Sequence, residues 1–124
     1  MKTDIFTVNE DDPVQLVANL MYWRNIRHVP VENNLGELTG LVTCKLVMLY
    51  YSSHHVDGTN TPVRDIMEKE LVTVSPQTKT TEALELLKKR HLGCLPVLHG
   101  NKLAGLVTER DFMCIAAELL SENE

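Results

Sequence analysis

An α+β fold built from two pseudo-symmetric copies of one strand–helix–strand–strand–helix unit is the architecture this sequence predicts. Three observations carry that expectation. Met1, Thr7, Val8, Leu20, Arg24, Pro30 and Val31 return 66 positions later as Met67, Thr73, Val74, Leu86, Arg90, Pro96 and Val97. Leu38, Gly40-Leu41-Val42-Thr43 and Met48 return 65 positions later as Leu103, Gly105-Leu106-Val107-Thr108 and Met113, so one residue is lost in the turn between. Each copy also passes from short β-rich runs to helical periodicity in the same order, and a repeat fixes the architecture ahead of any local assignment.

In the first copy, Ile5 to Val8 reads as a short extended piece ending at Asn9. Asp12 is placed to cap a helix, with Pro13 as its first residue, where the missing N–H is no loss. Val14, Val17, Ala18, Leu20 and Met21 fall on one helical face, and the helix is expected to end near Arg24 or Asn25. Val29 to Glu32 and Leu38 to Thr43 read as strands around an Asn33-Asn34-Leu35-Gly36 turn, followed by a helix from Lys45 to Tyr51. The second copy repeats this plan. Thr78 is the expected cap, Ala83, Leu84, Leu86 and Leu87 the apolar stripe, Leu95–Leu98 and Leu103–Thr108 the strands, and His99–Lys102 the turn. The last helix is expected to bury Phe112, Met113, Ile115, Ala116 and Leu119. The assigned domains are residues 1–51 and 62–124, joined by a polar loop over 52–61, with a short helix at Val63–Met67.

A chain of 124 residues can bury one real core, whereas each copy of about sixty residues would be marginal alone. The formal charge of −5 argues against a nucleic-acid phosphate track, which needs a basic face. Cys44, Cys94 and Cys114 form no CxxC pair and read as reduced thiols. No apolar run is long enough for a membrane span, and no basic-then-apolar leader opens the chain. A soluble, cytoplasmic protein without membrane or nucleic-acid partners is the expectation. Val63-Arg64-Asp65-Ile66 precedes the second copy, but the first begins at Met1, aligned with Met67. A longer parent protein is therefore expected, against the competing reading of a natural start at Met1.

Chemistry concentrates in Gly105-Leu106-Val107-Thr108-Glu109-Arg110-Asp111, where a strand runs into a helix. Unpaired N–H groups at a helix start favour oxygen-rich ligands. The Thr108 hydroxyl can donate or accept, and the Asp111 carboxylate can accept both hydroxyls of a vicinal diol. The same pair has the spacing of a capping box, with Asp in place of Glu or Gln. From this element alone the cap stands ahead of the ribose grip, and the two are compatible.

The whole pattern resembles the CBS (cystathionine β-synthase) domain, in tandem a Bateman module, over Met1 to about Leu120. The resemblance implies two βαββα units packed through their sheets, with clefts for adenosine-containing ligands and frequent homodimerisation. It implies a regulatory module with AMP, ADP, ATP or S-adenosylmethionine as ligand, no required cofactor, and an attached or associated effector domain. Residue by residue, it implies that Thr108 and Asp111 bind ribose, that Val72 and Thr73 read the adenine edge, and that Cys94, Leu95 and Pro96 wall the base pocket. In the first copy Leu46 stands where the aspartate is expected, which puts that cleft in doubt. Arg27 and His28, which have Gly93 and Cys94 as counterparts, are implied phosphate contacts, with a solvated charge and a satisfied imidazole as the alternatives. Arg110 is a weaker phosphate candidate. A ligand-free homodimerisation module, using Val47, Tyr50, Phe112, Ile115 and Leu119, is the rival reading.

His54-His55 with Asp57, and His91, Cys94 and His99, resemble scattered metal ligands, but a surface loop and core packing are the better readings. Trp23, beside Tyr22, could stack on a base, but the pair fits a core edge or a dimer contact better. With no nucleophile–base pair or paired carboxylates, catalysis has no specific support, and no metal or catalytic residue is assigned.

Overall fold

The structure, a computed structural model, describes residues 5–53, 61–90, 92–111, 113 and 120. They fall into two compact units, Phe6–Leu71 and a second that starts at Val72 and also takes in Ile5. Each combines helices with an antiparallel strand pair, as expected of an α+β fold, and each unit has its own apolar cluster.

In the first unit, β1 (Val8–Asn9) lies parallel to β2 (His28–Glu32), which pairs antiparallel with β3 (Leu38–Thr43), giving the sheet order β1-β2-β3. Helices α1 (Val14–Arg24) and α2 (Cys44–Ser53) cover it. Val14, Val17 and Met21 form the buried stripe of α1, against Val29, Val31 and Val42 from the sheet. Fully burying such a side chain contributes roughly 1.5–3 kcal/mol. The helix closes at Asn25 in the left-handed region, φ 53, with its N–H bonded to the Met21 carbonyl. Asn tolerates that conformation better than most residues.

The second unit repeats the plan with α3 (Thr80–Lys89), β4 (Cys94–His99) and β5 (Lys102–Thr108). Its lead segment, expected as a strand, is reduced to one parallel bridge from Val74 to Val97. Even so, the Val74 N–H bonds the Pro96 carbonyl at 3.0 Å and the Leu98 N–H bonds the Val74 carbonyl at 2.8 Å. The hairpin registers correspond residue for residue: His28 faces Thr43 as Cys94 faces Thr108, and Val31 faces Gly40 as Val97 faces Gly105. Both ladders slip at the same place, between Val31 and Glu32 and between Val97 and Leu98. The residue lost between the copies lies in the turn. The first hairpin closes around Asn33, whose Oδ1 accepts from the Leu35 and Glu37 amides. The second uses only Gly100-Asn101, with Gly100 at φ 67, a conformation natural to glycine at the head of a two-residue turn.

Several local expectations are corrected. Asp12 and Thr78 do not cap their helices. Asp12 Oδ2 accepts the Asn9 N–H at 2.8 Å, and Thr78 Oγ1 accepts the Ser75 N–H at 3.0 Å, each closing the turn before the helix. Pro13 lies just outside α1 in an extended conformation and bridges Pro62. The first amide of α1, Val14 N–H, is satisfied by the Thr61 carbonyl at 2.9 Å. Met113, expected on a buried face, is 66% exposed; its neighbours Phe112, Ile115, Ala116 and Leu119 lie outside the described residues, as does Cys114.

The segment after the inter-repeat loop packs on the first unit. A 3₁₀ turn at Val63–Asp65 places Val63, fully buried, in the first core, and Ile66 and Met67 pack against the same cluster. Glu68 bridges Leu41 with reciprocal backbone bonds of 3.0 and 2.9 Å. Met67 crosses directly over Gly40, so a Cβ on residue 40 would lie 2.3 Å from Met67 Sδ and 3.1 Å from its Cβ. Gly40→Ala is therefore expected to destabilise the protein by about 1–3 kcal/mol, the usual cost of overpacking. Thermal unfolding of the single and double variants checks this: Gly40→Ala should cost much less in a Met67→Ala background, and equal costs in both would contradict the contact.

Candidate functional site

The site assembles at the end of β5 because the hairpin register sets Thr108 opposite Cys94 and the chain turns into a helix at residue 109. The Glu109 N–H bonds back to the Gly93 carbonyl at 3.3 Å, tying the helix start to the head of β4. Asp111 then reaches back: its Oδ2 accepts the Thr108 N–H at 2.8 Å and the Thr108 hydroxyl at 3.3 Å. This is the returning half of a capping box, so the cap reading of the pair holds. Thr108 and Asp111 are both half-buried.

Cys94 and Leu95 are buried at 4% and 0% exposure, and Pro96 is buried beside them. Burial, and secondarily the Asp111 carboxylate, push the Cys94 thiol from 9.0 up to about 12. A thiol held in its neutral form is a poor nucleophile and a poor metal ligand, which agrees with its reading as a packed core residue. Val72 is half-buried against the second core, Thr73 is exposed, and Arg110 is exposed on the helix. Val72, Thr73, Cys94, Leu95, Pro96, Thr108, Arg110 and Asp111 thus all belong to one unit. A shallow open groove of about 550 Å³ in that unit is lined by Thr73, Ser75, Thr78, Glu82, Leu86 and Leu98, among others. It takes in Thr73 but not Thr108, Asp111 or Cys94.

The CBS domain family profile matches residues 1–52 and 63–118. This chain belongs to the CBS domain family, as a tandem pair. It is 32% identical over 111 residues to the CBS domain-containing protein YhcV of Bacillus subtilis, covering 90% of this chain and 78% of that one. A solved Vibrio cholerae structure assigned to acetoin utilization (AcuB) superposes with a TM-score of 0.90 at 28% identity, over 99% of this chain and 92% of that one. The CBS domain pair of protein MJ0100, solved in complex with 5′-methylthioadenosine and S-adenosyl-L-methionine, shares the fold at 17% identity, with a TM-score of 0.82 and 92% coverage of each chain. Other relatives are longer: the chain spans 21% of one and 39% of another.

The first CBS repeat is built differently at the matching position. Leu46 brings no carboxylate, and Thr43 Oγ1 instead accepts the Leu46 N–H at 3.3 Å as a forward helix cap. The Cys44 N–H bonds the Arg27 carbonyl at 2.9 Å, as Glu109 does Gly93. Arg27 is exposed and His28 half-buried. Among the described residues no group of three or more His, Cys, Asp or Glu could hold a metal ion, and no helix is long and apolar enough to cross a membrane. His54, His55, Asp57 and His91 lie outside the described residues. Val47 and Tyr50, suggested for a dimer face, are buried in the first core at 7% and 8% exposure. Tyr22 and Trp23 close no core edge, being 85% and 69% exposed, and Met48 and Leu49 are also exposed.

The Cys94 environment predicts two outcomes. Alkylation at pH 8, mapped by mass, is expected to modify half-buried Cys44 well before buried Cys94; equal rates would contradict the burial. The folded state also keeps the Cys94 proton after the unfolded chain has released its own. Stability should thus fall as pH rises from about 9 toward 11, by at most about 1.4 kcal/mol per unit. Denaturant titrations should show a flatter profile in Cys94→Ser, whose hydroxyl does not titrate there.

Proposed function

We propose that this CBS pair is a regulatory module that binds an adenine nucleotide or adenosyl ligand and passes the binding free energy to an attached or associated effector domain. The observation that carries the reading is the Thr108–Asp111 pair beside the buried Cys94 wall, present in one repeat and absent from the other. A carboxylate offers about four acceptor positions, so one that caps a helix can also take the hydroxyls of a ribose. In the proposed roles, Asp111 and Thr108 hold the ribose, Val72 and Thr73 meet the base edge through their backbone, and Cys94, Leu95 and Pro96 supply apolar wall. Arg27 and His28 of the first repeat face phosphate, with Arg110 a lesser contributor. The adenosine ligands in the MJ0100 pair support the ligand class.

Signalling would be a population shift. A ligand that prefers one conformation moves the equilibrium by its differential affinity and no more. No catalytic role is assigned to any residue. Longer relatives support the effector domain, and the repeat limits 1–51 and 62–124, as limits in sequence, belong to the same proposal.

Titration calorimetry with AMP, ADP, ATP and S-adenosylmethionine tests the assignment. Asp111→Ala should weaken binding roughly 10–150-fold, the loss of a charge-assisted hydrogen bond worth about 1.5–3 kcal/mol. Equal affinity in wild type and variant would sink the ribose role. Arg27→Ala should weaken ATP more than S-adenosylmethionine, since only ATP presents phosphates to a guanidinium.

A homodimer is the second reading, favoured by the exposed Tyr22, Trp23, Met48 and Leu49 on the first repeat. Sedimentation across protein concentration decides it, a monomer throughout being the contrary result.

A further inference from the structure

Eight residues beyond the first repeat are held to it at both ends. At the near end, the Val63 N–H bonds the Asp12 carbonyl at 2.8 Å, the Arg64 N–H bonds the Glu10 carbonyl at 3.1 Å, and Thr61 gives its carbonyl to Val14. Tyr50 Oη and Thr61 Oγ1 lie 2.6 Å apart, and Arg64 pairs with Asp11. At the far end, Met67 crosses Gly40 and Glu68 pairs with Leu41 on the outer edge of β3. Only Lys69-Glu70-Leu71 then separates Glu68 from Val72-Thr73-Val74. That second stretch contains the proposed base-reading residues and the Val74 bonds to β4.

We propose that residues 61–68 form a regulatory strap, whose seating on the first repeat is thermodynamically coupled to the ordering of Val72–Val74 in the second. The coupling as a ligand response rests on the adenosyl-ligand reading; the coupling itself does not. The near end is anchored by fully buried Val63, whereas the far end rests on one edge bridge, on the fit of Met67 to a residue without a Cβ, and on the partly buried Ile66 and Met67 side chains. Glu68, Lys69 and Glu70 are exposed. Short edge pairings open at lower local cost than buried core segments, which open only with the whole unit. The far end is thus the part of the strap able to respond to its neighbour. Coupling of two local equilibria is reciprocal, so a ligand that fixes Val72–Val74 must favour the seated strap by the same factor that the seated strap favours the ligand.

Native-state hydrogen exchange on the full chain reads both ends. The Leu41 and Glu68 amides report the seat, and the Val74 and Leu98 amides report the ladder in the second repeat. In the ligand-free protein, Gly40→Ala is expected to accelerate all four by about threefold or more. Arg64→Ala, which disturbs only an exposed pair, should do the same more weakly and serves if Gly40→Ala folds poorly. Leu20, which packs on the first core but makes none of the bonds that hold the strap, supplies the control: Leu20→Ala should leave Val74 and Leu98 at wild-type rates once compared at equal stability. Faster exchange at Leu41 and Glu68 with Val74 and Leu98 unchanged would overturn the coupling. With AMP or S-adenosylmethionine added at saturation, Leu41 and Glu68 should gain protection; binding without that gain would overturn the regulatory role. Failure of both to bind would count against the ligand reading, and the ligand-free comparison would still decide the coupling.

Discussion

The register of the two antiparallel hairpins governs everything else in this protein. In each repeat a buried Pro-Val strand pairs with Gly-Leu-Val-Thr so that valine faces glycine and the threonine ends the ladder opposite the first residue of the partner strand. Because side chains alternate across a strand, a slip of one residue would turn the core-facing valines to the opposite face of the sheet. The slip that does occur is the same in both copies and falls past the valine–glycine pair, toward the turn. A residue can thus be lost from the turn without moving Thr108 relative to Cys94. Register conserves the place of the site while the side chains at it diverge.

That divergence is chemical. In the second repeat a carboxylate one turn into the helix reaches back to the strand end, and its field combines with burial to keep the neighbouring thiol protonated. In the first repeat the hydroxyl of Thr43 turns forward to the amide of Leu46. The same backbone therefore carries an oxygen-rich corner in one copy and an ordinary helix cap in the other. One fold, used twice, has room for a ligand role in one half and a purely structural role in its counterpart.

Much of this was legible in the residues. The Leu38–Thr43 strand has its expected limits, since turn residues bound it on one side and a helix on the other. Thr108 and Asp111 were readable because capping and diol recognition ask for the same groups at the same spacing. The caps at Asp12 and Thr78 misled because an oxygen near a helix start can equally close the preceding turn, and a carbonyl from a distant segment, Thr61, took the helix amide instead. No local pattern announces such a long-range partner. The strap was the larger omission: repeat boundaries suggested that residues from 62 on serve the second copy, yet Val63 to Glu68 pack on the first. One signal was present, the recurrence of Gly40 as Gly105 inside a strand. A glycine there marks a close approach by another segment.

The central claim is that the corner made by Thr108 and Asp111 recognises a ribose. Calorimetric titration with AMP and with its 2′,3′-dideoxy analogue tests it most directly, since the two differ only in the groups that a carboxylate would accept. The account predicts measurable binding of AMP and a loss of at least tenfold for the dideoxy analogue, with the difference vanishing in Asp111→Ala. Equal binding of both nucleotides by the wild-type protein, or no binding of either, would contradict it.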